Sequence, residues 1–242
     1  MRLLVVLPTY NEVMNVESML RALRTIVPDA HVLVVDDASP DGTATKVREV
    51  ADELGQILVL GRDSKDGLGG AYRAGFAWGL AQGYDTFVEI DCDFSHDPAA
   101  LPTLLAAAVD HDVVIGSRYV PGGRIPQWKL ARRLLSRGGN QYASRMLRLH
   151  VADSTSGYRV YSRAALQSID FESVSAEGYG FQIEMTYRAR CAGARIVEVP
   201  ISFSDRRLGS SKMSSSIVYE ALWLVTKWAL RRPFARSLNS VQ

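Results

Sequence analysis

Short runs that are apolar at every position recur through the first half of this 242-residue chain, each followed by a turn and a helix-like stretch. Leu3-Leu4-Val5-Val6-Leu7 and Val32-Leu33-Val34-Val35 have no polar face, so a strand made of either must be covered on both sides. Ile57–Leu60, Phe87–Ile90 and Val113–Gly116 continue the series, with Glu89 the one charge in the fourth run. Between them lie helical periodicities: Val16, Met19, Leu20 and Leu23 share one face of a helix expected from Val13 to Ile26, capped by Asn11. Ser39-Pro40-Asp41-Gly42-Thr43 is a turn opening a second helix to about Leu54, and Gly67 opens a third to about Gln82. Strand and helix in alternation predict an α/β fold, Rossmann-like, with a mostly parallel sheet and helices on both faces. The Gly67–Gly75 run lacks G-x-G-x-x-G spacing and follows Lys65-Asp66 rather than a strand, which argues against a dinucleotide site.

Past Gly116 the alternation stops. Ser117–Gly123 reads as a loop, and a basic helix from about Leu130 to Leu149 carries Leu134, Leu135, Tyr142, Met146 and Leu149 as an apolar stripe. A polar turn over Asp153–Gly157, a helix from Gly178 to about Cys191, a strand within Arg195–Phe203 and a loop over Asp205–Met213 follow. The economical organisation is one catalytic domain over residues 1–213, with an amphipathic helix and tail over 214–242.

Two of the apolar runs end in paired acids: Asp36-Asp37, and Asp91-Cys92-Asp93 before the helix start at Asp97-Pro98. Open α/β sheets bind ligands at the C-terminal ends of their strands. Carboxylates crowded there repel unless a cation lies between them, and Mg²⁺ or Mn²⁺ takes oxygen ligands while sharing its shell with phosphates.

The net charge of +2 is small, but its distribution is lopsided. Between Asp112 and Asp153 there is no acid, while Arg118, Arg124, Lys129, Arg132, Arg133, Arg137, Arg145 and Arg148 all fall there. Such one-signed stretches suit anionic partners: phosphates, nucleic acid or a membrane surface. Cys92 and Cys191 make no disulfide framework, which fits a reducing compartment. Leu3–Leu7 is too short for the apolar region of a signal peptide, and Ile217–Leu230, interrupted by Glu220 and Lys227, is too short to span a bilayer. Its Trp and Tyr residues with Arg231-Arg232 behind them fit a helix at a membrane interface, one packed on the core, or both.

In order along the chain, Pro8-Thr-Tyr-Asn-Glu12, Val35-Asp-Asp37, Asp91-Cys-Asp93, Gly116-Ser-Arg-Tyr-Val-Pro-Gly-Gly123, Ser136-Arg-Gly-Gly-Asn140, Asp153-Ser-Thr-Ser-Gly157 and Gly178-Tyr-Gly-Phe-Gln-Ile-Glu184 resemble a known family. It is that of the inverting GT-A glycosyltransferases, family 2, and within it the dolichol-phosphate (polyprenol-phosphate) mannose synthases. The resemblance runs from Leu3 to about Met213. It implies transfer of mannose from GDP-mannose to the phosphate of a polyprenyl lipid with inversion, at the cytoplasmic face of a membrane. The protein would be peripheral, with a membrane-anchoring partner protein as the alternative anchor, and would bind no nucleic acid. A UDP-glucose donor, a sugar acceptor, or a non-catalytic nucleotide-sugar-binding module are the alternatives.

Carried over by position, Pro8, Tyr10, Glu12, Val35 and Asp37 would line the nucleoside pocket, with Cys92 and Ser95 also on the donor side. Asp91 and Asp93 would hold Mg²⁺ or Mn²⁺ on the diphosphate. Ser95 stands where some relatives place a Gln that reaches the metal; a Ser is shorter and would reach it through a bridging water. Arg206 and Lys212 would close over the diphosphate. Arg118, Arg132 and Ser136 would receive the lipid phosphate, Arg118 also bordering the donor. The catalytic group is then Asp91, Asp93, Arg118 and Arg132. Glu184 could touch the donor sugar or anchor its helix; Asp153 is expected to hold its turn, and Tyr158 and Phe181 to pack.

Overall fold

The computed structural model describes residues 2–205 and 221–230. Its elements run β1 (Leu3–Thr9), α1 (Val16–Ile26), β2 (His31–Asp36), α2 (Thr43–Leu54), β3 (Ile57–Gly61), α3 (Gly67–Ala81), β4 (Thr86–Glu89), α4 (Leu101–Ala107), β5 (Val113–Ser117), α5 (Leu130–Leu147), β6 (Arg159–Ser162), α6 (Arg163–Ile169), α7 (Tyr179–Cys191) and β7 (Ile196–Pro200). Residues 221–230 form a further helix, α8. The seven strands make one sheet in the order β3-β2-β1-β4-β6-β5-β7. All pairs are parallel except the two made by β6, which runs antiparallel to β4 and β5.

The both-sided burial expected of the apolar runs is met residue by residue. Leu4, Val6, Leu33 and Val35 face one core with Phe76, Phe87 and Phe181, while Val5, Leu7, Val32 and Val34 face a second with Met19, Leu20 and Val47. Successive side chains on a strand point to opposite faces, so one continuous run feeds both layers. Helix α3 lies against the first of these faces at close range. A Cβ built on Gly79 would sit 2.5 Å from Leu4 Cδ2 and 2.6 Å from Phe87 Cε1, and one on Gly75 would sit 2.5 Å from Val6 Cγ1. Gly75, which ends the glycine-rich run that could be mistaken for a dinucleotide fingerprint, and Gly79, one helical turn further on, are here a packing stripe.

Two expectations shift, and one left open narrows. Helix α1 begins at Val16 instead of Val13, and Asn11 does not cap it: Asn11 takes φ +58 and its N–H donates to Ser39 Oγ at 3.0 Å. Only the far end of the apolar stripe assigned to α5 is covered: Leu149, just past the helix, is fully buried and Tyr142 packs on the core, while Leu134, Leu135 and Met146 are exposed. Leu130, Leu134 and Leu135 are 69%, 61% and 66% exposed, whereas Asn140, Ala143 and Leu147 are buried. The first half of α5 extends past the layer it packs on, so periodicity identified a face without identifying its contact. The alternatives left open for the C-terminal helix narrow, since α8 turns one face inward: Ala221 and Val225 join the core, Thr226 Oγ1 pairs with Tyr142 Oη at 2.7 Å, and Trp228 stacks on Tyr187. Trp223 and Leu230 of the same helix are exposed.

Gly79→Ala is expected to destabilise. Replacing Gly by Ala in a helix gains about 1 kcal/mol of propensity, but forcing a methyl into a filled core costs about 1–3 kcal/mol. Because both clashing atoms belong to fully buried side chains, the clash should win, lowering the urea midpoint with the slope unchanged.

Candidate active site

Strands β1, β2 and β4 are mutually parallel through β1, so their C-terminal ends open on one side of the sheet. A cavity of about 520 Å³ lies there, walled by Pro8, Tyr10, Glu12 and Asp37 at one end and by Arg118 and Arg132 at the other, with Asp91, Cys92, Asp93 and Ser95 between. Residues from five separate stretches of sequence thus meet around one space.

At the first end the two acids of Asp36-Asp37 divide their work. Asp36 accepts from Thr9 Oγ1 at 2.9 Å and from the Ser39 N–H at 2.9 Å and hydroxyl at 2.6 Å, which folds the turn after β2 back onto β1. Asp37 reaches the cavity and is held by Arg62 Nη1 at 2.8 Å. Burial raises the Asp37 pKa, and the Arg62 charge only partly offsets it. Lys65 lies over the Tyr10 ring, 4.2 Å from its centroid, on the same wall. Val35 is a core residue beneath this wall and no part of it.

In the middle, Asp93 is almost fully buried and accepts the Ser95 N–H at 2.9 Å. Phe94 between them takes φ +59, a left-handed conformation that a bulky residue adopts only at a cost of about 1–2 kcal/mol. The tight reversal keeps the acid pair at the strand tip. Asp91 accepts from Tyr72 Oη at 3.2 Å. Burial, followed by the Asp91 charge, pushes the Tyr72 phenol well above its ordinary value, so it stays a donor. His96 is buried beside them, 3.9 Å from Asp91 Oδ2. Burial and then the Arg118 charge lower its pKa to about 4, so it is neutral at pH 7. Among the described residues no group of three or more His, Cys, Asp or Glu could hold a metal alone. Two carboxylates on an open wall instead suit a hard divalent cation whose shell is completed by a ligand's phosphate oxygens and water.

Just beneath, Glu89 faces Arg159 across the β4–β6 pair, and both are fully buried. Burial raises the Glu89 pKa to about 8, against the pull of Arg159. Arg159 also donates to the Ser156 and Ser154 carbonyls at 2.8 Å each. Because β6 runs antiparallel, the Asp153–Gly157 turn that precedes it falls at the C-terminal ends of β4 and β5, beside the acid pair.

That turn fixes the basic end. Asp153 and Arg118 are both buried and pair twice, Nε–Oδ2 at 2.7 Å and Nη2–Oδ1 at 2.7 Å, and the Arg118 N–H adds a third bond at 3.0 Å. Burial pushes the Asp153 carboxyl up, but the Arg118 charge and hydrogen bonds outweigh it and hold the pKa below its usual value. Arg118 Nη2 also donates to Thr155 Oγ1 at 2.7 Å. Arg132 lies at the mouth, its Nη1 on Asp205 Oδ1 at 3.0 Å. Ser136 accepts from Tyr119 Oη at 2.7 Å and borders a second, apolar groove of about 100 Å³ between α5 and α8. Arg132, Thr155 and Tyr179 line both spaces, so the groove adjoins the cavity. The other six basic residues of the acid-free interval are exposed and form a solvated face.

Arg206 and Lys212 lie outside the described residues. Glu184 does not line the cavity; it pairs with Arg188 one turn along α7 at 2.6 Å and accepts the Ala176 N–H at 3.4 Å, which ties α7 to the segment before it. Asp153 holds Arg118 as well as its turn. Tyr158 and Phe181 are buried packing residues, Phe181 stacked on Tyr72. Sequence reasoning did not single out Lys65, Trp128, Thr155, Tyr179, Gln182 or Asp205 for the site. Thr155, Tyr179 and Gln182 fell inside motifs it quoted, but nothing in the sequence said which way they face.

The family model for glycosyl transferase family 2 matches residues 4–170. An undecaprenyl-phosphate mannosyltransferase of Micrococcus luteus is 51% identical over 230 residues, covering 95% of each chain. A polyprenol monophosphomannose synthase of Mycolicibacterium smegmatis is 45% identical over 243 residues, covering 100% of this chain and 92% of its own. Among solved structures, a Pyrobaculum calidifontis mannosyltransferase in complex with GDP-Man and Mn²⁺ superposes with a TM-score of 0.61 at 16% identity, over 100% of this chain and 76% of that one. A Mycobacterium tuberculosis glucosyl-3-phosphoglycerate synthase with Mn²⁺, UDP and glucosyl-3-phosphoglycerate gives a TM-score of 0.69 at 20% identity, over 93% of this chain and 79% of that one. These two establish the GT-A fold.

Asp153→Asn leaves the buried Arg118 charge without its counter-ion, so a loss of about 3–5 kcal/mol is expected by denaturant unfolding at pH 7. The depressed Asp153 pKa means that its contribution is fully present above the usual carboxylate value of 3.8 and fades as pH falls through the lower folded value. The gap between variant and parent should therefore stay constant above about pH 5 and narrow only below the usual carboxylate range.

Proposed function

The chain belongs to glycosyl transferase family 2, and we propose that it transfers mannose from GDP-mannose to the phosphate of a polyprenyl lipid, with inversion, giving polyprenyl phosphate β-mannose and GDP. The observation that carries this is a single cavity with an acid pair at its centre, arginines at one end and an apolar groove beyond them. The two relatives at 45–51% identity, whose names specify mannose and a polyprenol phosphate, support it.

On this reading the nucleoside lies along Pro8, Tyr10, Glu12 and Asp37, and the diphosphate at Asp91 and Asp93. A Mg²⁺ or Mn²⁺ ion held there would stabilise charge on the departing nucleotide as a Lewis acid. The acceptor phosphate is already an anion at neutral pH, so the site needs no strong general base. It needs to bring one anion up to another. Arg118, locked by Asp153, supplies an immobile positive charge for that approach, and Arg132 a second at the mouth. The groove lined by Leu135, Ala143, Ile183, Leu222 and Val225 suits the first isoprene units of the lipid. Arg206 and Lys212 would add charge over the diphosphate.

Incubation with radiolabelled GDP-mannose, a polyprenyl phosphate and Mn²⁺ or Mg²⁺ should move label into the organic phase, and chelation should stop it. Asp93→Ala should lower turnover by about 100-fold or more, the scale of losing a main electrostatic contact in a transition state. Label transferred equally well from UDP-glucose would reassign the donor; nucleotide binding without any transfer would leave only a binding module.

Among the described residues no helix is long and apolar enough to cross a membrane. The exposed Leu130, Leu134 and Leu135, with Lys129, Arg133 and Arg137 exposed around them and Trp223 on α8, support peripheral attachment to an anionic cytoplasmic leaflet. Burying one Leu contributes about 1.5–3 kcal/mol, so Leu130→Asp with Leu134→Asp should weaken sedimentation with anionic vesicles by at least about tenfold. Full recovery of the parent protein in the supernatant at low salt would end this idea and favour an anchoring partner protein.

A further inference from the structure

Arg132 lies where the polar cavity meets the apolar groove, and it is 39% exposed in its side chain. An arginine so placed has many rotamers, unlike Arg118, which Asp153 locks in the interior. Its neighbours restrict it. The guanidinium lies over the Trp128 ring, 3.9 Å from the centroid. Trp128 Nε1 and Arg132 Nη1 both donate to the same oxygen, Asp205 Oδ1, at 3.0 Å each. Asp205 is itself fixed, its N–H donating to Gln127 Oε1 at 2.7 Å. Behind it, Phe203 packs edge-on against Trp128 and its N–H donates to the Arg124 carbonyl at 2.9 Å. The segment leading to Asp205 is thereby tied to the segment leading into α5.

We propose that Asp205 is a positioning residue for Arg132: with Trp128 as platform, it sets the guanidinium so that its remaining N–H groups meet the acceptor phosphate. This rests on the acceptor reading above and names a residue that it leaves without a role. One carboxylate oxygen takes one amino group of Arg132 and the indole N–H together. The contact orients the fork without occupying it, since a guanidinium carries five N–H donors. The same device appears twice at this end of the site: an aspartate behind each arginine, buried for Arg118 and at the surface for Arg132.

The test is a set of variants, Asp205→Ala, Trp128→Phe, Arg132→Ala and the Asp205→Ala/Arg132→Ala double, assayed for KM toward both substrates. Asp205→Ala should raise KM for polyprenyl phosphate about tenfold, a change of about 1.4 kcal/mol, with KM for GDP-mannose within about twofold and the melting temperature unmoved. Trp128→Phe, which keeps the ring and loses the indole N–H, should give a smaller rise in the same parameter. The double variant should be no worse than Arg132→Ala alone, because the aspartate acts only through the arginine. A fall in acceptor KM for Asp205→Ala would make the carboxylate a competitor for Arg132 and overturn the proposal. So would losses that multiply in the double variant, or equal shifts for both substrates. Titration calorimetry with farnesyl phosphate repeats the comparison without turnover. A protein that binds the prenyl phosphate but transfers no sugar sinks the proposed activity and leaves this comparison to decide; one that binds none overturns both.

Discussion

The ion pair between Arg118 and Asp153 holds this site in shape. Both groups are out of water, and either alone would be an uncompensated interior charge. The pair joins the end of β5 to the turn before β6, which is the one place where the sheet departs from parallel order. Breaking it would free the loop that leads to α5 and the turn that borders the acid pair in one stroke. Arg159 braces the same turn from below by binding two of its carbonyls, so the turn is gripped by a cation on each side. Rigid cations beside a mouth that admits anions are what a reaction between two negatively charged partners requires.

Charge is sorted along the cavity in a way that follows from this. Acids lie at the tips of β2 and β4, cations at the tip of β5 and the start of α5, and the neutral His96 between them. Keeping His96 uncharged matters because a protonated ring there would compete for the carboxylates. The polar cavity then gives way to an apolar groove, so a ligand with an anionic head and a hydrocarbon tail is matched along its length. The exposed leucines of α5 continue that gradient outward to the surface.

Much of this was legible in the residues. Runs apolar at every position could only be strands covered twice, and the acid pairs that end them could only be at strand tips. Asp153 as a structural acid and Phe181 as packing followed from composition and place. The first half of the α5 stripe misled, at Leu134 and Leu135, because periodicity says that a face is apolar and not whether anything covers it. The Asn11 cap misled for a related reason: Asn both caps helices and tolerates a left-handed backbone, and here the second property was used. Asp205 could not be assigned at all, since it works through an arginine seventy-three residues away.

What the chain determined by itself was local: alternation of strand and helix, the side of the sheet on which ligands must bind, and the sign of the charge each segment carries. These follow from period, turn chemistry and composition, which are properties of neighbours in sequence. The tertiary structure decided which charges meet. The antiparallel entry of β6 set Asp153 against Arg118, and the tie between Phe203 and Arg124 brought Asp205 to Arg132. Pairings of that kind depend on strand order and loop path, and no sequence spacing encodes them.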